Sequence, residues 1–177
     1  MSGLISIGSR KLLVLLLILV GFAGCTHRIS VEQYPMKEGM VTSFLGEQPV
    51  NVINAKDSAD EELLGKLGVH TYLGNLQEWT DTAVKVLETE LNDRNIVTTI
   101  EAEKKIKLAI TKGEVFAHFS TLQCKLDLNV ETGDGNTMVF TGDNHSPWTL
   151  SRACGGAVVR AVAAMLNDPN ILYYLKN

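Results

Sequence analysis

The sequence predicts an α+β domain, a mainly antiparallel sheet with two amphipathic helices packed on one face. Three patterns predict it. Trp79, Ala83, Val86, Leu87 and Leu91 recur at spacings of three and four, which makes one apolar stripe on a helix over Asn75–Asp93. Lys105–Thr111 alternates polar and apolar residues, and Leu122, Cys124, Leu126, Leu128 and Val130 run on alternate positions, as half-buried strands do. Leu150, Cys154, Ala157, Val158, Ala161, Val162 and Met165 form a second helical stripe. Helices segregated on one face of such a sheet bury both stripes in one layer.

The elements follow in order. Thr26–Gly46 contains Pro35, Gly39 and Gly46 and keeps no period. It reads either as a flexible tether, with a span of roughly 25 Å, or as a segment partly packed as an edge strand over Met40–Leu45. Pro49–Asn54 is a short strand signal. Asp57–Gly68 is acidic and reads as a loop or one or two helical turns, and Val69–Leu73 as a second short strand. Asn92-Asp93-Arg94-Asn95 stops the first helix, and the β-branched Ile96–Ile100 reads as extended. Val115, Ala117 and Phe119 carry an odd-numbered apolar phase, whereas Leu122–Val130 runs on even numbers. A phase change requires a bulge or a turn, and a tight turn is placed near Ser120-Thr121. Gly133-Asp134-Gly135-Asn136 is a hairpin signal, and Thr137–Gly142 returns as the last strand. Ser146-Pro147 offers an N-cap and a first-turn proline to the second helix. Asn167-Asp168-Pro169 ends that helix, leaving Ile171–Leu175 as an apolar tail.

The first 24 residues carry a different message. Arg10 and Lys11 precede nine apolar residues, Leu12–Val20, and Gly21-Phe22-Ala23-Gly24 leads into Cys25. A basic flank, a short apolar run and small residues are the pattern of an export signal. The twelve-residue stretch Leu12–Ala23 falls short of the roughly 17–25 residues of a spanning helix. Phe22-Ala23-Gly24-Cys25 resembles the lipobox of bacterial lipoproteins, with Phe in place of the usual Leu. The resemblance implies cleavage before Cys25, a diacylglyceryl thioether on its sulfur and an acylated new N-terminus. Two or three acyl chains would hold the protein firmly, because one chain alone binds marginally. Thr26 follows the cysteine where an Asp would retain an enterobacterial lipoprotein at the inner membrane. The expected location is therefore the periplasmic side of the envelope, with the outer membrane favoured. The layout Trp79–Asn95, Lys105–Val130 and Ser151–Leu166 also resembles small envelope lipoproteins of the YajG type, and is similar to auxiliary lipoproteins of ABC lipid transporters. That resemblance implies an accessory role and carries over no functional residues.

A cut before Cys25 leaves 153 of 177 residues, enough for one domain over 47–177 behind a lipidated N-terminus and tether at 25–46. Removing Arg10 and Lys11 takes the formal charge from −4 to −6, with 14 basic residues against 20 acidic ones. Such a chain has no electrostatic footprint for nucleic acid. No nucleophile-elbow, zinc-protease, dithiol or dinucleotide motif is present, so neither enzymatic activity nor a cofactor is expected. Of the four histidines, His27 falls in the tether and His118 on a polar phase. His118 and His145 could meet a carboxylate and bind metal, but no ligand spacing demands it. Asp81, Asp127, Asp134 and Asp143 read as turn and solvated residues rather than paired catalytic acids. Gly155-Gly156 indicates a close approach of helix to sheet, or a groove.

Cys124 and Cys154 lie on the apolar phases of a strand and of the second helix, and so face the same layer. They either form a disulfide or remain two buried thiols, since phase fixes the face but not the height along it. Trp148, Tyr173 and Tyr174 are large aromatics near element ends and are candidate contacts for a protein partner. The sequence thus points to a non-enzymatic, membrane-anchored accessory subunit of the envelope. The alternative is a lipid- or apolar-ligand-binding module of a lipid-transport system.

Overall fold

The computed structural model describes residues 24–46 and 48–177. The expected export signal falls almost entirely outside them. Among the described residues, seven strands and three helices follow one another: β1 (Thr26–Ile29), β2 (Val50–Asn54), β3 (Glu61–Leu67), β4 (His70–Asn75), α1 (Leu76–Asp93), β5 (Lys104–Ala117), β6 (Leu122–Thr132), β7 (Thr137–Ser146), α2 (Leu150–Leu166) and α3 (Pro169–Lys176). They form a four-stranded sheet in the order β2-β5-β6-β7 and a three-stranded sheet in the order β1-β4-β3.

The α+β class stands. The sheets are mixed rather than purely antiparallel, because β1 pairs parallel to β4 and β2 parallel to β5. Both long helices pack on one face of the four-stranded sheet. Cys124, Leu126, Leu128 and Val130 of β6 are buried under them, while Lys125, Asp127, Asn129 and Glu131 point to the wetter face. That face carries polar pairs such as Lys107–Glu131, at 2.8 Å.

Helix α1 starts where the Asn75 side chain accepts the amides of Gln77 and Glu78. It stops at Asn95, which takes a left-handed backbone with φ of 64°. Midway along β5 the register slips between Ile110 and Lys112, moving the buried set from Ile106, Leu108 and Ile110 to Gly113 and Val115. At this bulge the Ile110 amide donates to Thr80 Oγ1, which itself donates to Leu76 O. One buried hydroxyl thereby ties α1 to the sheet. The bulge moves β5 from an even to an odd buried phase, and the tight turn after Ala117, where His118 N donates to Thr121 O, makes the change from odd to even that separates β5 from β6. Phe119 sits fully exposed in that turn instead of continuing a buried phase.

Four segments differ from expectation. Asp57–Gly68 is neither a loop nor helical turns but mostly β3. Its acidic Glu61 and Glu62 belong to the strand, and Glu62 is paired with Lys56. Ile96–Ile100 makes only an isolated bridge, Val50 to Thr98. Ser146 ends β7; Thr149 is the N-cap of α2, while Ser146 Oγ accepts the amides of Trp148 and Thr149. The apolar tail is the helix α3, capped by Asp168 with Pro169 in its first turn and with Ile171 and Leu175 buried.

The segment read as a flexible tether or a partly packed edge strand is built into the fold. β1 begins one residue after Cys25. Ile29, Val41 and Phe44 join the core. No strand forms over Met40–Leu45. Polar side chains clamp that stretch instead. Asn167 donates to Met40 O and accepts from the amide and hydroxyl of Thr42. Arg94 donates to Thr42 O and lies 4.7 Å from the Phe44 ring centre. These clamps come from residues far along the chain, which is why no local period announces them.

Candidate functional site

The strands give the molecule two distinct ends. At one end, the β5–β6 turn at 118–121 lies beside the end of β7, since Leu122 pairs with Ser146. β3 runs in the same direction as β5. Leu64 Cδ2 would lie 3.0 Å from a Cβ at Gly113, and a Cβ at Gly65 would lie 2.9 Å from Val115 O. The β3–β4 turn, Gly68-Val69, therefore reaches this same end. So does the start of β1, because Thr71 N donates to Cys25 O at 2.9 Å. Cys25 is exposed here. At the opposite end stand the start of β5, the β6–β7 turn and α3. The eleven residues of β6 separate the two ends by about 30 Å.

This arrangement sorts the three aromatic candidates. Trp148 is 73% exposed and stands at the Cys25 end. Tyr173, also exposed, stands at the far end. Tyr174 is a structural residue: its hydroxyl accepts the amides of Lys105 and Gly133 and donates to Lys105 O. The ring thus ties α3 to the start of β5 and to the β6–β7 turn, and offers little to a partner.

All four histidines gather at the Cys25 end in two pairs. His27 Nε2 is 2.9 Å from His70 Nδ1, and the His27 ring stacks on Tyr72. The His118 and His145 rings lie 5.5 Å apart, with Gln123 bonded to both His118 and Asp143. His145 Nε2 is 3.8 Å from Asp143 Oδ1. The carboxylate that could have joined His118 and His145 is therefore nearby, yet its oxygens accept from the Gln123 amide. Among the described residues, no group of three or more His, Cys, Asp or Glu side chains is arranged to hold a metal ion. The four aspartates are held locally. Asn54 donates to Asp81 and Thr141 to Asp127. The Asp134 carboxyl is held below its ordinary range, chiefly because the Thr132 hydroxyl donates to it.

Cys124 and Cys154 form a disulfide, with Cα atoms 4.9 Å apart, joining β6 to α2 beneath the helix. The helix lies close to the sheet here. A Cβ at Gly142 of β7 would fall 2.0 Å from Ala157 O, and one at Gly155 would fall 2.2 Å from Glu32 O. Residues 30–40 thus cross over α2 as a strap, and a groove opens between the strap, α2 and the end of β7.

The groove encloses about 380 Å³. Its apolar walls come from Tyr34, Pro35, Met40, Pro147 and Val159, with Gly156 between them. Lys37, Arg152 and Arg160 supply positive charge. Arg152 is engaged with the strap, donating to the Tyr34 hydroxyl and lying 3.9 Å from Glu32. Lys37 and Arg160 take part in no ion pair among the described residues. With Arg152 offset by Glu32, Lys37 and Arg160 leave this groove of an acidic chain locally positive. The sequence carried a signal for this site: Arg152, Gly156, Val159 and Arg160 recur at spacings of four, three and one, a second stripe beside the buried one. The strap that completes the groove had no such signal.

No protein-family model matches the chain, and no curated protein is significantly similar to it.

Proposed function

We propose that this chain is a non-enzymatic lipoprotein of the bacterial cell envelope, anchored on its periplasmic side through acyl chains on Cys25, with the outer membrane as its location. In this reading it serves as an accessory subunit whose groove beside α2 receives an acidic segment of a protein partner. The observation that carries the partner role is the groove itself, apolar-walled and ringed by Lys37, Arg152 and Arg160. Apolar walls supply contact area and placed charges supply orientation, the usual division of work in a recognition site. The same walls are the specific observation behind a second reading, a module that binds an anionic lipid.

A photoreactive residue in place of Lys37 tests the reading in intact cells, with one in place of Lys125 on the wet face of the sheet as control. A protein adduct formed at position 37 and not at 125, and lost in Arg160→Glu with thermal stability unchanged, is the expected result. Lipid adducts alone at position 37 transfer the groove to the second reading. No adduct at 37, or equal adducts at both positions, overturns the groove as the recognition site. The anchor is tested separately, by incorporation of labelled fatty acid into the wild-type chain and its loss in Cys25→Ala.

A further inference from the structure

We propose that the Cys25 end of the domain is seated on the bilayer, with Val69, Phe119 and Trp148 inserted at headgroup level. The inference rests on the lipid-anchor reading and adds a surface to it. Its first support is the missing spacer. Cys25 is hydrogen-bonded to β4 through its carbonyl oxygen, and β1 starts at the next residue. Acyl chains on Cys25 would therefore hold this end of the fold against the lipid, with no tether to lift it away. A membrane covering this surface follows from the anchor point.

The second support is what the end displays. Val69 is 71% exposed in the β3–β4 turn beside Gly24, and Phe119 is fully exposed in the β5–β6 turn. Trp148, just past β7, is the third apolar protrusion. Each sits on a different connection, in a loop or turn rather than on a regular face, and nothing among the described residues packs over any of them. The three points lie on three separate connections of this end, so their insertion adds contacts to the single anchor and limits the swing it would otherwise allow. Trp is the residue most suited to the headgroup layer, because its ring is apolar and its N–H can stay wet.

The two tryptophans make the proposal directly measurable. Trp148 is exposed, whereas Trp79 is fully buried with its indole N–H bonded to Ile29 O. The lipidated full-length mature protein is reconstituted into phosphatidylethanolamine and phosphatidylglycerol vesicles whose acyl chains are brominated near the headgroup. The expected result is a loss of roughly half the Trp148 emission, as fits a ring at headgroup depth, and no such loss in Trp148→Phe, where only Trp79 emits. Phe119→Asp should weaken the quenching while the protein still floats with the vesicles. If the wild-type protein floats and its emission is the same with and without bromine, the seating is wrong and the anchor stands. If the chain takes up no fatty acid and does not float, the anchor reading falls and the seating falls with it.

Discussion

Removing the Cys124–Cys154 bridge tests how much of the stability of the α2 layer is covalent. The perturbation is the double variant Cys124→Ala/Cys154→Ala, which leaves two small apolar side chains where the sulfurs were. The bridge spans a sequence separation of 30 residues. In the chain-entropy model a loop of this size constrains the unfolded state by about 3–4 kcal/mol at 25 °C. Both cysteines are fully buried, so loss of sulfur packing adds to the cost. For a domain of this size each kcal/mol moves the midpoint by roughly 3 °C, which gives a fall of about 10 °C. The assay is differential scanning calorimetry of the mature domain, oxidised, reduced and as the double variant. The oxidised wild type should melt highest, and reduction should bring it close to the variant. Equal midpoints for all three samples, or free thiols at both Cys124 and Cys154 in the denatured, unreduced wild type, would refute the bridge and the reasoning built on it.

Two further outcomes follow from the far end of the molecule. Tyr174→Phe removes a hydroxyl that serves three backbone groups and should destabilise by about 1–3 kcal/mol, whereas exposed Tyr173→Ala should stay within about 0.5 kcal/mol of wild type in urea unfolding. The reverse order would show that α3 is held differently. Asn167→Ala removes the clamp on Met40 and Thr42, and should raise amide exchange over residues 40–46 about 5- to 30-fold by lowering the local opening energy about 1–2 kcal/mol, without comparable change in β6. Unchanged exchange there would mean that burial of Val41 and Phe44 alone holds this stretch.

The elements readable in the sequence are those whose partners are close by or whose burial is periodic. Helix α1 shows both ends and its stripe because Asn75 and Asn95 act within a few residues of the backbone they cap. β6 shows its face because five buried residues alternate without interruption. β1 was hidden because Thr-His-Arg-Ile buries a single residue, Ile29, and gains its register from β4, more than forty positions away. α3 looks like a tail in the sequence because eight residues give the helical period too few repeats to stand out. The groove was half legible. The α2 stripe of Arg152, Gly156 and Arg160 is in the sequence, but its opposite wall is irregular backbone that only tertiary contacts position. The cysteine pair shows the same boundary: alternation put both sulfurs in one layer, and only the register of β6 against α2 set them at one height.

The packing of residues 25–46 into the fold also settles where a folding unit of this chain has to begin. A fragment starting at residue 47, the boundary that composition suggests, would lack Ile29, Val41 and Phe44 from its core and would leave their neighbours facing water. It would deprive the fully buried Trp79 indole of its acceptor on Ile29. It would also unpair β4 along the edge that β1 covers, leaving backbone N–H and C=O groups free to recruit another chain. Such a fragment would be prone to self-association, and a binding experiment made with it would report on that exposed edge. The unit that carries the protein's own surface starts at Cys25.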